Sequence, residues 1–151
     1  MWQQVDPNNP AQLQAAVDVL AAHDDNWTSA IQLKQWMEER DVRLFFYHDP
    51  SFDLVVGFRY LPSRDQWRLA TGGGRGTLGP AAGEQMAAKI VQFLKAEGVR
   101  MLEMYTRDRA PGDPKRVLVD MAATILRDHP GVAEVSQRPS KIGRHYEAVL
   151  R

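Results

Sequence analysis

The sequence has 151 residues, of which 44% are hydrophobic and 25% charged, a composition typical of a soluble globular domain. Nineteen basic side chains balance nineteen acidic ones, so no net charge attracts the chain to nucleic acid or to an anionic membrane. The absence of cysteine excludes a disulfide framework, a thiolate nucleophile and a zinc–thiolate site. No apolar run approaches the roughly 20 residues that cross a bilayer, and the first residues lack the regions of a signal peptide. We therefore expect a single domain over residues 1–151, located in the cytoplasm.

Two helices are predicted in the first 40 residues, after a short strand at residues 2–5. Asn9 followed by Pro10 is a typical helix start, because asparagine caps free amides and proline fits the first helical position. Apolar residues at helical spacing extend this helix to about residue 22. Ser29, with Gln32 three residues later, predicts the capping box of a second helix.

Three strands are predicted next, at residues 42–47, 54–61 and 66–71. Segments of turn-forming composition at 48–53 and 62–65 separate them. Because these connections are short, we expect an antiparallel meander.

A glycine-rich segment follows the third of these strands. Residues 72–79 contain five glycines and are predicted as a flexible turn, after which Pro80 begins a helix that extends to about residue 97. A strand, a glycine turn and a helix N-terminus together direct free amides and the positive end of the helix dipole at an anion, commonly a phosphate. The alternative is a mobile connection that binds no ligand.

The C-terminal third predicts a strand, a helix and two final strands. Residues 100–106 are apolar apart from Glu103 and follow a helix, which is typical of an internal parallel strand. Asp113 is predicted to cap a helix that begins at Pro114 and extends to about residue 128. Strands at 132–135 and 145–150 are joined by the polar segment 136–144. The order β-α-α-β-β-β-α-β-α-β-β predicts an α/β (α+β) fold with one mixed, mostly antiparallel sheet and helices on both faces.

This order resembles that of the GNAT N-acetyltransferase superfamily over nearly the whole chain. The resemblance implies an acyl-CoA N-acyltransferase-like fold in which the fourth strand and the following helix bind acetyl-coenzyme A (acetyl-CoA) as co-substrate. Amides of the strand would hold the pantetheine arm and the thioester oxygen, and the glycine-rich turn would hold the pyrophosphate. The coenzyme-binding residues that the resemblance implies are Leu69, Ala70, Thr71, Gly76, Gly79, Ala81, Ala82 and Gly83.

The family has a coenzyme-binding fingerprint of three fixed positions. It begins with Gln or Arg, continues after any two residues with Gly, and ends after any one residue with Gly or Ala. This fingerprint fits the chain in two registers. In the first, Gly76 takes the place of the Gln or Arg, and Glu84 falls where the family buries an aliphatic residue. In the second, Ala81 and Gly83 take the small positions, and Leu78 takes the place of the basic or amide residue.

The second register is preferred because it places Met86 and Ile90 on the inward side of the helix. Burying such side chains stabilises the fold by roughly 2 kcal/mol each, which exceeds the contribution of one loop contact.

Acetyl transfer to an amine needs a base for the ammonium, donors for the thioester oxygen and an acid for the departing thiolate. Glu103 is the candidate base, since burial in an apolar strand would make its carboxyl group more basic. The alternatives for Glu103 are an ion pair with Arg68 or Arg43, or exposure at a splayed edge. The resembled family often takes the acid from a tyrosine on the fourth helix, but residues 114–128 contain none. Tyr105 and Tyr146 are the substitutes, unless they fill the sheet as ordinary strand aromatics.

The remaining polar residues give weaker signals. The four histidines lack metal-ligand spacing, so no metal is expected; His48 is predicted in an exposed turn and His145 in a substrate wall. A cluster of cations could contact the adenosine phosphates or form a solvated turn, and its members are Arg107, Arg109, Lys115 and Arg116.

We therefore expect direct acetyl transfer to a primary amine of a small molecule or peptide, without a covalent intermediate, because no activated nucleophile is predicted. Neither nucleic acid nor a membrane is expected as a partner, and a homodimer is left open. The alternative is a domain of the same architecture that has lost transfer chemistry and serves as a binding or assembly module. A third interpretation is a regulatory module that recognises another phosphorylated small molecule.

Overall fold

The computed structural model describes residues 2–22, 24, 26–77, 79–98, 100–106, 114–140 and 143–151, without the side chains of residues 114–116 and 139. The chain forms two compact units. The first unit consists of Met1–Arg59 and Ala70–Thr77, and the second of Tyr60–Leu69 and Leu78–Arg151. The expectation of a single domain stays a prediction.

The described residues form seven strands and four helices in the predicted order, and these are β1 Trp2–Gln4, α1 Pro10–Ala21, α2 Ala30–Arg40, β2 Val42–His48, β3 Phe52–Leu61, β4 Gln66–Gly76, α3 Pro80–Ala96, β5 Met101–Tyr105, α4 Pro114–Arg127, β6 Val132–Ser140 and β7 Gly143–Leu150. Hydrogen bonds connect the strands in the order β1-β2-β3-β4-β5-β7-β6. The β4–β5 ladder is parallel, whereas β1–β2, β2–β3, β5–β7 and β6–β7 are antiparallel. The predicted mixed, mostly antiparallel fold is confirmed. None of the helices in the described part of the chain is long and apolar enough to cross a membrane.

The two helices of the first unit begin at the predicted caps. The Asn9 side chain accepts hydrogen bonds from the amides of Ala11 and Gln12 at 3.1 and 3.2 Å. The Ser29 hydroxyl accepts one from the amide of Gln32 at 3.1 Å. Capping therefore satisfies amides that have no partner within the helix. Both helices contribute apolar side chains to a core formed by Val5, Leu13, Ala16, Val17, Val19, Leu20, Leu33, Met37, Leu44 and Val55.

Most of the glycine-rich segment is strand rather than turn, because β4 continues through residues 72–76. A Cβ at Gly74 would lie 2.7 Å from Cζ of Phe52, closer than real side chains approach. A Cβ at Gly76, where φ is 93°, would collide with the carbonyl oxygen of Ser51. That oxygen accepts a hydrogen bond from the amide of Thr77 at 2.9 Å. The prediction of a flexible turn is wrong for residues 72–76, because these glycines permit close strand packing rather than a change of direction.

The second unit has β5 between β4 and β7, which confirms the predicted internal strand. Strands β6 and β7 are longer than predicted, so residues 136–140 and 143–144 are strand and not a joining segment. The β6–β7 ladder pairs Ser136 with Glu147 and Gln137 with Tyr146. Polar residues therefore form these strands through pairing with a distant segment, which the composition of residues 136–144 does not reveal.

Candidate active site

Successive side chains of β5 point to opposite sides of the sheet in the second unit. Leu102 and Met104, each 1% exposed, lie on one side. Glu103 lies on the other, opposite Arg68 in one ladder and opposite Glu147 in the next. Tyr105 follows on the same side, opposite His145. We call this second side the polar face, and its members are Arg68, Glu103, Tyr105, His145 and Glu147.

Glu103 is 0% exposed, and donors from β4 and the turn before it surround its carboxyl group. Gln66 Nε2 donates to Oε2 at 2.7 Å, and Arg68 Nε donates to Oε1. Arg64 Nη1 lies 3.4 Å from Oε2. The ion pair with Arg68, which the sequence left as an alternative to catalysis, is thus present. Because an unpaired buried carboxylate costs several kcal/mol, these donors explain how Glu103 is accommodated, and they fix its orientation.

Tyr105 and His145 form a stacked pair on the polar face. Their ring centroids are 4.2 Å apart and their planes differ by 9°. The guanidinium carbon of Arg68 lies 5.4 Å from the Tyr105 ring centroid, within the range of a cation–π interaction. His145 Nε2 is buried without a hydrogen-bond partner, 3.5 Å from Glu103 Oε2 and 3.7 Å from Glu147 Oε1. The polar face therefore brings Tyr105, Glu103 and His145 together.

Tyr146 lies on the opposite side of the sheet, in the ladder position facing Met104. Its hydroxyl donates to Asp120 Oδ1 of α4 at 2.6 Å. Burial and this hydrogen bond raise the pKa of the Tyr146 phenol above its ordinary value. The structure thus separates Tyr146 from Glu103, and its role as an acid stays a prediction.

The N-terminus of α3 presents free backbone donors. Gly79 is the N-cap, and its carbonyl accepts the amide of Gly83 at 3.1 Å, so the Gly83 donor is already used within the helix. Pro80 has no amide hydrogen. Among the described residues, the amides of Ala81 and Ala82 have no hydrogen-bond partner. These two amides, with the helix dipole, are the donors that an anion would meet here.

A groove of about 580 Å³ adjoins this helix end. The first two turns of α3 line one side, and the last two turns of α4 and the residues after it line the other. Glu84 and Asp128 add carboxyl groups to its wall. His129 also lines the groove, and its Nδ1 accepts the amide of Gly131 at 2.9 Å, so that Nε2 carries the hydrogen. The groove thus combines amide and imidazole donors with two acidic residues.

The remaining predicted coenzyme residues belong to β4. Leu69, Ala70 and Thr71 are half-buried strand residues, and Gly76 ends the strand. The parallel ladder of β4 with β5 comprises Trp67 paired with Leu102 and Arg68 paired with Glu103. Strand β5, in contrast, pairs with β7 along all five of its residues.

Some predictions concern parts of the chain outside the described residues. They are the helix cap Asp113, the fingerprint residue Leu78, and the cations Arg107 and Arg109. The side chains of Lys115 and Arg116 are also outside the description. The adenosine-phosphate contact proposed for these cations stays a prediction.

Glu103, His145 and Glu147 supply three donor atoms within 4.8 Å of one another, a spacing that metal ions use. The carboxyl groups, however, already pair with guanidinium groups, since Arg68 binds Glu103 and Arg138 Nη2 lies 3.3 Å from Glu147 Oε2. A divalent cation would add charge beside these arginines. We therefore assign no metal to this cluster.

Sequence reasoning did not identify Gln66 and Arg64 as donors to Glu103, or Glu147 as a neighbour of His145. The alternation of His145 and Glu147 in the last strand was the available signal, because it places both side chains on one face. Gln66 on β4 and Arg64 in the turn before it gave no such signal, since their proximity to Glu103 depends on the register of the parallel ladder.

Neither a family model nor a curated protein matches the sequence. Solved structures of acetyltransferases do match. An aminoglycoside 6'-N-acetyltransferase from Enterococcus faecium is 15% identical over 98% of this chain and 94% of its own, with a TM-score of 0.58. A ribosomal-protein-alanine N-acetyltransferase from Brucella melitensis is 13% identical over 99% of both chains, with a TM-score of 0.60. An acetyltransferase from Bacillus subtilis in complex with CoA is 10% identical over 99% of this chain and 96% of its own, with a TM-score of 0.56.

These matches establish the class of fold. The protein has the fold of the GNAT N-acetyltransferases, as the order of its elements predicts. Because the identities are 10–15%, the likeness is one of fold, and activity is a separate question for the site.

Proposed function

We propose that the protein is a cytoplasmic, acetyl-CoA-dependent N-acetyltransferase that passes the acetyl group directly to a primary amine of a small molecule or peptide. The observation that carries the proposal is the fold shared with acetyltransferases, on whose internal strand Glu103 lies buried and oriented by its donors. The ion pair with Arg68 is the competing role of this carboxyl group, so the base is tested separately below. Acetyl-CoA supplies a thioester whose carbonyl carbon the amine attacks, so that a C–N bond forms and the C–S bond breaks. Glu103 accepts, directly or through a water molecule, the proton that the ammonium group must lose.

The α3 N-terminus supports the binding of the coenzyme pyrophosphate. The backbone amides of Ala81 and Ala82, which have no hydrogen-bond partner among the described residues, are two donors available to the pyrophosphate. The helix dipole favours negative charge at the same place. The adjoining groove is large enough for part of a nucleotide. Glu84 and Asp128 act against a phosphate, so we expect the anion to lie at the amides rather than deeper in the groove.

The first test adds a negative charge at this helix end. Ala81→Glu places a carboxylate beside the proposed pyrophosphate, and Ala88→Glu adds the same charge at an exposed position further along α3. Acetyl-CoA at 100 times its dissociation constant should stabilise the native protein by about 2.7 kcal/mol, seen as an increase in melting temperature. We expect Ala81→Glu to weaken acetyl-CoA binding about 10-fold in calorimetric titration, with Ala88→Glu unchanged. Equal affinity in the two variants would remove the α3 N-terminus from the site.

The second test concerns the base. Glu103→Gln keeps the size of the side chain and an oxygen for Arg68 but removes the proton acceptor. With a panel of primary amines as acceptors, turnover at neutral pH should fall about 100-fold while the affinity for acetyl-CoA is unchanged. Glu134→Gln, an exposed change of the same kind on β6, is the control. Full turnover in Glu103→Gln would exclude Glu103 as the base.

A non-catalytic binding or assembly module is the second candidate function. The helix α4, Pro114–Arg127, contains no tyrosine that could serve as the acid, and the groove at α3 includes two acidic residues. If acetyl-CoA and CoA both leave the melting temperature unchanged, this candidate replaces the acetyltransferase.

A further inference from the structure

His145 has no role in the function proposed above. Its side chain is 12% exposed, yet Nε2 is buried without a hydrogen-bond partner between two carboxyl oxygens at 3.5 and 3.7 Å. The stack of its ring on Tyr105, with centroids 4.2 Å apart, fixes the plane of the imidazole. Nε2 of His145 is thus buried and faces the carboxyl groups of Glu103 on β5 and Glu147 on β7.

The two carboxyl groups select one tautomer of a neutral imidazole. A nitrogen lone pair facing carboxylate oxygens would be repelled, whereas an N–H group facing them is attracted. Nε2 therefore carries the hydrogen, and Nδ1 keeps the lone pair. Since Nε2 is buried, the exposure of the side chain lies on its other atoms.

Several charged or titratable groups surround the His145 imidazole. On β5 there are Glu103 and the Tyr105 phenol; on β7 there is Glu147; and on β6 Arg138 stands opposite His145 in the ladder. Arg68 and Arg64 approach Glu103 from β4 and the turn before it. The carboxyl groups of Glu103 and Glu147 thus face three guanidinium groups, and each accepts an ion pair. Asp120 and Arg144 pair with each other from α4 and the start of β7.

The geometry points to His145 as a second proton acceptor of the acetyl transfer, with Glu147 and Glu103 as the residues that position its imidazole. This inference rests on the proposed acetyltransferase function. When the amine nitrogen bonds to the thioester carbon and the C–S bond breaks, the nitrogen loses a proton, which Nδ1 of His145 takes up directly or through water. The resulting imidazolium keeps its Nε2–H between the two carboxyl groups, and the thiolate leaves as CoA after gaining a proton from solvent.

The tautomer can be measured without any substrate. Long-range nitrogen–proton NMR correlations of the full-length protein should show His145 with the hydrogen on Nε2. The same spectra of Glu103→Gln combined with Glu147→Gln should show a mixture of tautomers, because the two carboxyl groups are gone. A hydrogen on Nδ1 in the unaltered protein would overturn the inference, even if acetyl-CoA binds and acetyl transfer occurs.

Kinetics then test the role in transfer. With acetyl-CoA and a primary-amine acceptor, His145→Gln should lower kcat about 100-fold, remove one ionisation from the pH dependence of kcat/KM, and leave acetyl-CoA affinity unchanged. His48→Gln, at the exposed histidine that ends β2 rather than lying in the predicted turn, is the matched control and should retain both the rate and the pH profile. Melting curves of both variants establish that they are folded. An unchanged pH profile in His145→Gln overturns the inference while the proposed function stands, whereas a protein that binds no acetyl-CoA overturns both.

Discussion

Leu102 and Glu103, neighbours on opposite sides of β5, are buried to the same extent and are stabilised in different ways. Leu102 is 1% exposed on the apolar side, and Glu103 is 0% exposed on the polar face. The apolar side is stabilised by the burial of surface, for which the neighbours need only the right volume. The polar face is stabilised by directed hydrogen bonds and ion pairs, for which each neighbour must be a particular donor. Burial alone therefore does not distinguish a core residue from a candidate site residue; the kind of partner does.

The largest effect is expected on the apolar side. Met104→Ala would remove most of a side chain that is 1% exposed and leave a cavity, which should lower the free energy of unfolding by about 2–4 kcal/mol. Urea denaturation measures this loss. The pH dependence of acetyl transfer should be unchanged, because Met104 has no titratable group. A loss below about 1 kcal/mol would show that the apolar side tolerates a cavity by repacking.

A smaller effect is expected for the ion pair on the polar face. Arg68→Met keeps much of the side-chain volume but leaves Glu103 with fewer donors, and we expect a loss of about 2 kcal/mol. In the Glu103→Gln background the same substitution should cost less, because no charge is left unpaired. A double-mutant cycle from denaturation curves gives the coupling energy. Additive effects of the two substitutions would contradict the importance of directed pairing on this face.

The smallest effect is expected for Asp49, a half-buried residue whose carboxyl group, like that of Glu103, accepts several hydrogen bonds. The Asp49 side chain accepts hydrogen bonds from the Tyr47 hydroxyl, the Ser51 hydroxyl and amide, and the Phe52 amide at 2.7–2.9 Å. These bonds, with that of Tyr47 the largest contribution, lower the pKa of Asp49 from 3.8 to about 2.

Since the folded pKa of Asp49 is the lower one, its contribution to stability is present above the unfolded value of 3.8 and is lost as the pH falls toward about 2. Asp49→Asn should therefore lower the melting temperature at pH 7, where this contribution is fully present, and flatten its decrease between about pH 4 and pH 2. Parallel acid melts of the two proteins measure this difference. Identical slopes would mean that solvent cancels the effect of these donors at the surface.

The elements with local signals were predictable from the sequence. Asn9, Ser29 and Pro80 begin helices where capping chemistry requires, because the groups that stabilise a helix start lie within a few residues of one another. The order of elements then predicted the fold, because few arrangements of strands and helices satisfy it.

The errors occurred where distant residues decide the local structure. Gly74 has its place in β4 because it lacks a side chain, whose space Phe52 occupies, and Gln137 lies in β6 because it pairs with Tyr146. The partner of Glu103 stayed open between two arginines for the same reason, since only the parallel ladder places Arg68 beside it. The candidate site is mostly of this nonlocal kind, so the sequence named Glu103 and Tyr105 as candidates but did not point to Gln66 and Arg64 as donors to Glu103.

Strand β6 lies at one edge of the sheet and contains a proline. Pro139 stands opposite Arg144 in the β6–β7 ladder. Proline has no amide hydrogen, so it fits a sheet where its nitrogen points away from the neighbouring strand. An extra strand that tried to extend the sheet from this side would miss a bond at that position. Pairing of a second molecule along this edge of the sheet is thereby discouraged.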